Sequence, residues 1–296
     1  MATRTLKFAI FGNTYQAKKS AFINEIISTL KESGAEVSID SEFYHFLIDG
    51  GRLDMPIDRV FRGNDFEADF VVSMGGDGTF LKAASRVGNK EIPIIGVNMG
   101  RLGYLADVHP EEFHNCVADL YKGTYTIEDR TVIKVEAEGC DFSGSDCALN
   151  DVAILKRDNA SMITIHASIN GERLTTYQAD GLVVSTPTGS TAYSLSVGGP
   201  IIVPGTHIFS LTAVAPHSLS MRPIVISDES VITLRVECRS HHFLVALDGR
   251  SEKCSEGTTI TLRKAPYQIK ILKRQQSTYF STLREKLMWG ADTRGI

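Results

Sequence analysis

Met74-Gly75-Gly76-Asp77-Gly78-Thr79 follows the apolar run Phe70-Val71-Val72 and leads straight into Phe80-Leu81-Lys82-Ala83-Ala84. The run before it is short, β-branched and apolar, the pattern of a strand buried in a sheet. Leu81, Ala83 and Ala84 suit a helix, so the hexapeptide marks a strand–glycine turn–helix junction. Glycine there lets another molecule approach the backbone with no Cβ in the way. The helix N-terminus that follows offers unpaired N–H groups and a partial positive charge, which suits a phosphate. Asp77 is the odd member, because a carboxylate in an anion cradle repels phosphate unless it binds a cation or takes a proton. A plain turn with Asp77 as a helix cap is the competing reading. Three glycines in four positions directly after a buried strand weigh against it. The spacing is neither G-x-x-x-x-G-K-[ST] nor G-x-G-x-x-G, so neither common phosphate loop is present.

Strands and helices alternate around this junction. Leu6 to Phe11 reads as a first strand, and a helix from about Ala17 to Leu30 places Phe22, Ile23, Ile26, Ile27 and Leu30 on one face. Val37 to Ile39 is a short second strand, and Ile48 to Asn64, with Gly50-Gly51, Pro56 and Gly63, is expected to be an irregular connection. Pro93 to Asn98 is another buried strand. It runs into Met99-Gly100-Arg101-Leu102-Gly103-Tyr104-Leu105, a second glycine-bearing segment at a strand C-terminus, where open α/β sheets place ligands. A helix is expected from Pro110 to Tyr121. The pattern predicts an α/β N-terminal domain with an open, mostly parallel sheet over residues 1–124.

From Thr131 the period changes to two. Ile133, Val135 and Ala137 alternate with polar residues, as do Ile163, Ile165, Ala167 and Ile169, and Asn170-Gly171 then gives a strong hairpin signal. Alternation returns at Ile232 to Val236, Phe243 to Leu247 and Ile260 to Leu262, with Asp248-Gly249 and Glu256-Gly257 as turns. This predicts a β-rich domain over residues 125–275 and a helical tail, 276–296, packing back on the first domain.

Charge and cysteine usage limit the partners. Net charge is -4, from 31 basic and 35 acidic side chains with no basic block, which disfavours nucleic acid or an anionic membrane as the main partner. No apolar stretch approaches the ~20 residues of a membrane helix, and no signal-like apolar region opens the chain. The five cysteines are scattered and lack a C-x-x-C, which argues against a disulfide framework or a zinc site and fits a cytoplasmic protein.

The second dense stretch runs from Asp180 to Pro200: the apolar Leu182-Val183-Val184, then Ser185-Thr186-Pro187-Thr188-Gly189-Ser190-Thr191-Ala192-Tyr193-Ser194-Leu195-Ser196, then Gly198-Gly199-Pro200. Hydroxyls and backbone N–H groups bind phosphate and ribose without bringing charge. Asn150-Asp151 is a polar pair inside an apolar run and must be satisfied if buried, by the chain or by a ligand. Asn can read an adenine edge, and Asp can accept from ribose hydroxyls. An Asx turn is an equal alternative for this pair taken alone. His217 and His241-His242 show no metal spacing, and Arg130, Arg157 and Arg222 are each open to structural roles.

These segments, in this order, resemble the NAD kinase family. Asn98 to Leu105, Pro216-His217-Ser218-Leu219-Ser220-Met221-Arg222-Pro223 and the tail Phe280-Ser281-Thr282-Leu283-Arg284 agree with it as well. The glycine turn alone is shared with diacylglycerol, sphingosine and phosphofructo-kinases, whereas Asp180 to Pro200 is far more specific. The resemblance implies transfer of the γ-phosphoryl group of ATP, or in some members polyphosphate, to the 2′-hydroxyl of the adenosine ribose of NAD. It also implies a divalent ion, usually Mg²⁺, and a homodimer or homotetramer. Carried over, it makes Asp77 the catalytic acidic residue, in contact with NAD together with Gly78. Gly75, Gly76, Gly78 and Thr79 would line the phosphates, with Phe80 beside the nucleotide. Asn150 would hold adenine and Asp151, where many members have Glu, the ribose. Asp180 would bind the nicotinamide end, and Ser185, Thr188, Thr191, Ala192, Tyr193 and Ser196 would pack around NAD, with Arg157 as a basic contact. The rival readings are a lipid kinase of the same superfamily, a non-catalytic dinucleotide sensor and, lacking its glycine motif, a dehydrogenase.

Overall fold

The computed structural model describes residues 4–14, 20–100, 103–140, 142, 144–158, 161–273 and 278–288. The chain divides into two compact units, one of Met1–Asp129 with Ile269–Ile296, the other of Arg130–Gln268.

The first unit is built on a sheet of seven strands: β1 (Lys7–Gly12), β2 (Glu36–Asp40), β3 (Arg59–Phe61), β4 (Phe70–Gly75), β5 (Ile94–Asn98), β6 (Thr126–Arg130) and the last strand of the chain, β19 (Ile269–Lys273). Their order is β3-β2-β1-β4-β5-β19-β6, and the pairs from β3 through β19 are parallel. The chain steps outward from β1 to β3 and then returns to the other side of β1 as β4. That reversal makes the C-terminal ends of β1 and β4 the switch point at which open sheets leave a crevice. Gly12 pairs with Met74 there, so the glycine turn leaves the sheet at that point.

Four helices cover this sheet: α1 (Ser20–Glu32), α2 (Ser41–Asp49), α3 (Asp77–Val87) and α4 (Phe113–Lys122). The apolar stripe of α1 is buried as its period requires, with Ile23, Ile26, Ile27 and Leu30 packed beside Phe8, Ile10 and Val37. The expected start of this helix, near Ala17, lies outside the described residues. The expected Pro110 helix opens as a 3-10 turn, Pro110–Glu112, before α4. Two elements differ from the sequence reading. Helix α2, unanticipated, is capped by the Asp40 carboxylate, which accepts from Phe43 N–H, and it buries Phe43 and Leu47. Strand β3 lies within the stretch expected to be irregular and pairs in parallel with β2.

The second unit is a sandwich of two antiparallel sheets. One has the order β11-β10-β15-β18-β7-β8, from β7 (Ile133–Ala137), β8 (Cys147–Ala148), β10 (Ile163–Ile169), β11 (Glu172–Ala179), β15 (Ile232–Glu237) and β18 (Thr259–Lys264). The other has the order β14-β13-β12-β9-β16-β17, from β9 (Asp151–Lys156), β12 (Gly181–Ser185), β13 (Ile208–Val214), β14 (Ile224–Ser227), β16 (His242–Leu247) and β17 (Arg250–Ser255). Asn170 and Gly171 both take positive φ, 52° and 81°, which closes the β10–β11 hairpin as the sequence predicts. Alternate residues face inward, so Ile133, Ile165, Leu234 and Ile260 of one sheet meet Ile154, Leu182, Val184 and Phe243 of the other in one core. Strand β12 is buried along its whole length. Its outer face, with Ala153 and Ala246 beside Val183, is covered by Tyr193 and Val197 from the segment that follows it.

Cys140 and Cys254 are joined by a disulfide, which corrects the expectation from their scatter. They lie 114 residues apart in sequence, so no local spacing reveals them. The sandwich brings the segment after β7 against β17, with Cα atoms 5.4 Å apart. Cys116, Cys147 and Cys238 are buried and lie outside this disulfide. Among the described residues no helix is long and apolar enough to cross a membrane. Thiol titration of the denatured, unreduced protein should therefore find three reactive groups, and reduction should restore five. Cys254→Ser should lower unfolding stability by about 2–4 kcal/mol without reductant and by much less with it. Five thiols before reduction would refute the pairing.

Candidate active site

In the first unit the site grows from the end of β4. The strand is buried throughout, and Gly76 forms the extended N-cap of α3 with no side chain capping it. Thr79 and Phe80 donate their N–H groups to the Gly76 carbonyl, at 3.0 and 3.1 Å, which closes the turn. A Cβ on Gly76 or Gly78 would meet no atom within 4 Å. Neither residue has positive φ, and glycine inside a helix costs about 1 kcal/mol relative to alanine. No packing or backbone demand of the described residues thus calls for glycine at either position, and the open side of the turn leaves room for a ligand to reach the main chain. Phe80, by contrast, is fully buried and packs near Gly96, so its ring supports α3 from behind. Lys82, one turn on, pairs with Glu42 at 2.6 Å.

The Asp77 side chain turns onto the segment that follows β5. Oδ2 accepts the Tyr104 N–H at 2.9 Å, and Oδ1 accepts the N–H groups of Leu105 and Ala106 at 3.0 and 3.1 Å. The second glycine-bearing segment is therefore the clamp on the aspartate of the first. A Cβ on Gly103 would lie 2.0 Å from Oδ1, so only glycine admits the carboxylate at this depth. Arg101 and Leu102 lie outside the described residues. Both lone-pair positions of Oδ1 are taken, whereas Oδ2 has one donor and one position left. The Lys286 ammonium, carried on the last helix, α6 (Tyr279–Leu287), stands 4.0 Å from Oδ2.

In the second unit a different carboxylate does the holding. Asp248, at the turn between β16 and β17, accepts the N–H groups of Leu149, Asn150 and Asp151 at 2.8, 2.8 and 3.2 Å. From the other side Thr186 donates its hydroxyl to the Leu149 carbonyl at 2.6 Å and its N–H to the Asn150 carbonyl at 2.9 Å. The polar pair Asn150-Asp151 is gripped at both edges. Asn150 is 9% exposed, and its Oδ1 has no hydrogen-bond partner. A buried acceptor with no donor calls for one from outside the chain. Asp151 accepts the N–H of Tyr193, at the start of the short helix α5 (Tyr193–Ser196). Burial, reinforced by the Asp248 charge, pushes the Asp151 carboxyl up to about 7, against the opposing Tyr193 hydrogen bond. Burial raises Asp248 as well, against its three backbone hydrogen bonds.

The hydroxyl-rich segment is wound more tightly than its composition suggests. The Ser185 hydroxyl is fully buried and donates to backbone carbonyls, and that of Ser190 ties Pro187 to Ile202. Thr188 is buried and accepts from Arg130, and Thr191 donates to the Thr188 carbonyl at 3.4 Å. Thr191, Ala192 and Tyr193 are half-buried and Ser196 is exposed, so these can meet a ligand. Asp180 sits at the far end of β12 from Ser185 and pairs with Lys156 at 2.8 Å. Arg157 is exposed just beyond β9 and outside this network. Sequence reasoning missed Asp248, Lys156 and Lys286; Asp248-Gly249 reads as an ordinary turn, and nothing local sets it apart.

The chain is also similar to known proteins. The ATP-NAD kinase N-terminal domain matches residues 8–125 and the ATP-NAD kinase C-terminal domain matches residues 149–274. An NAD kinase of Bacteroides fragilis is 57% identical over 289 residues, covering 98% of this chain and all of that protein. One from Porphyromonas gingivalis is 43% identical over 288 residues, covering 97% and 99%. Among solved structures, a yeast NADH kinase complexed with NADH shares the fold, with a TM-score of 0.87 at 22% identity over 98% of this chain and 90% of that one. An NAD kinase from Archaeoglobus fulgidus in complex with ATP has a TM-score of 0.76 at 26% identity, over 96% and 99%. All four are kinases of nicotinamide dinucleotides. The chain belongs to the NAD kinase family.

On the catalytic role proposed below for Asp77, Gly103→Ala should expel its carboxylate and cut NADP formation by about 10²-fold or more, while the melting temperature falls by only a few degrees. Wild-type turnover in this variant would show that the clamp is dispensable.

Proposed function

We propose that the chain transfers the γ-phosphoryl group of ATP to the 2′-hydroxyl of the adenosine ribose of NAD, giving NADP and ADP. The observation that carries the proposal is Asp77: one oxygen is saturated by backbone donors and the other has an acceptor position left, beside a turn with two unobstructed glycines. In this reading Oδ2 takes the hydrogen bond of the 2′-hydroxyl and orients its oxygen toward the γ-phosphorus. The new bond joins the 2′-oxygen to phosphorus as the bond from phosphorus to the β–γ bridging oxygen breaks. The hydroxyl proton passes to Asp77 and then to solvent. At the N-terminus of α3 the main chain of Gly75, Gly76 and Gly78, with the Thr79 hydroxyl, would line the phosphates.

Recognition of the dinucleotide falls to the second unit. The buried, partnerless Oδ1 of Asn150 suits the adenine amino group, and Asp151 suits the ribose hydroxyls. Thr191, Ala192, Tyr193 and Ser196 offer the accessible surface, while Ser185 and Thr188 support it from beneath. Asp151 and Asp180 flank opposite ends of paired strands, roughly 16 Å apart at ~3.3 Å per residue, a length that suits an extended dinucleotide with its nicotinamide end at Asp180. Among the described residues no group of three His, Cys, Asp or Glu side chains could hold a metal. In this reading Mg²⁺, which the family resemblance implies, would bind the ATP phosphates and offset their charge, with most of its ligands being water and phosphate oxygen. The family resemblance also supports a cytoplasmic homodimer or homotetramer.

Asp77→Asn should retain NAD binding by calorimetry and lose about 10²–10⁴-fold in turnover, the usual contribution of such a group. Equal loss of binding and rate would sink its assignment. Asp151 adds a pH signature. Its carboxyl is protonated below about 7 and ionised above, and only the ionised form accepts from both ribose hydroxyls. The KM for NAD should fall as pH rises from 6 to 8, and Asp151→Asn should flatten that slope. Because the folded pKa lies above the unfolded value of 3.8, this group's contribution to folding is greatest below about pH 4 and declines as pH rises through about 7.

A further inference from the structure

We infer that Lys286 is a donor-phosphate residue, its ammonium binding the γ-phosphoryl group of the nucleoside triphosphate beside Asp77. The chain segment that carries it is far from the glycine turn in sequence but is built to hold a fixed position. A capping box formed by Thr278 and Ser281 closes the start of α6, and Leu283 anchors the helix through its buried side chain. Lys286 follows Leu283 by three residues and so projects from the same face. Its Nζ lies 4.5 Å from the centroid of the Tyr104 ring, a cation–π contact, and 4.0 Å from Asp77 Oδ2. Tyr104 thus holds both partners, Asp77 through its N–H and Lys286 through its ring.

The spacing is what points to a ligand. At 4.0 Å the ammonium does not hydrogen-bond the carboxylate, and among the described residues Nζ makes no hydrogen bond at all. Three N–H donors therefore stand beside the acceptor oxygen with none hydrogen-bonded to the described residues, open to an oxygen of a ligand that enters alongside the carboxylate. The Lys286 and Asp77 side chains are 21% and 32% exposed, sheltered but open to a molecule from solvent. An ion pair kept only for stability is worth little in such a partly exposed setting. Lys286 also answers the difficulty posed by the sequence, a carboxylate where phosphate must bind: it is the cation that cancels the Asp77 charge. During transfer it would stabilise the charge on the equatorial oxygens of the moving group, while the hydroxyl proton goes to Asp77.

The link to transfer rests on the role proposed for Asp77, but triphosphate binding can be tested without it. Calorimetry on the full chain would compare a non-hydrolysable ATP analogue, ADP and NAD for wild type, Lys286→Met and Lys286→Arg. The methionine variant should bind the triphosphate roughly 10–100-fold more weakly, the range of one charge-assisted hydrogen bond, with ADP and NAD affinities unchanged. Arginine should restore triphosphate binding to within a few-fold, and kcat for NADP formation should follow the same order. Triphosphate affinity within twofold of wild type in Lys286→Met would overturn the inference. So would equal losses for all three ligands with a lowered melting point, which would make α6 a packing element. If wild type formed no NADP but the selective triphosphate loss persisted, the NAD reading would fail and the Lys286 assignment would stand.

Discussion

Three consecutive backbone N–H groups closing on one carboxylate is the interaction on which both candidate regions depend. In the first unit Tyr104, Leu105 and Ala106 close on Asp77; in the second Leu149, Asn150 and Asp151 close on Asp248. Main-chain donors have no rotamers, so the anion they hold inherits the rigidity of the strands on either side. The two clamps run in opposite senses. The loop fixes the carboxylate at Asp77, whereas at Asp248 the carboxylate fixes the backbone and so aims Asn150 and Asp151. Removing either acid strands several buried donors at once, which is costlier than losing one surface contact.

What surrounds each clamp follows from sheet topology. In the first unit the strand order reverses beside β4, so the glycine turn leaves the sheet at the switch point where open sheets form a crevice. In the second unit the outer face of the sheet carries the small Ala153 and Ala246 beside Val183, and the loop after β12 packs down on them. That packing brings Tyr193 to Asp151 and requires the loop to satisfy its own polar groups, which is why Ser185, Thr186 and Ser190 bond inward.

The fold was legible where periodicity was strong. The apolar stripe of α1, the alternation from Ile133 onward and the Asn170-Gly171 turn each state their structure locally, and each is found where expected. Helix α2 escaped notice because its start depends on one aspartate cap amid aromatic residues that also suit strands. Of the candidate site, Asp77 stood out as a carboxylate in a glycine turn suited to phosphate, and Asn150-Asp151 as a polar pair inside an apolar run. Asp248 was not, because an Asp-Gly turn looks the same whether or not its carboxylate reaches a neighbouring strand. Lys286 and the Cys140–Cys254 pair were hidden for another reason: their partners lie more than a hundred residues away, and only the fold brings them close.

The order β5-β19-β6 has a consequence for how the protein is made. The strand that fills the gap between β5 and β6 is synthesised after every strand of the second unit. Until it leaves the ribosome, β5 presents an unpaired, wholly buried-type edge, a template for pairing with other chains. The second unit, continuous in sequence, can close first, while the sheet that carries Asp77 waits for Ile269–Lys273. A nascent or truncated chain that stops short of this strand therefore lacks more than its tail. It lacks the strand that joins β5 to β6 in the sheet on which the glycine turn is mounted.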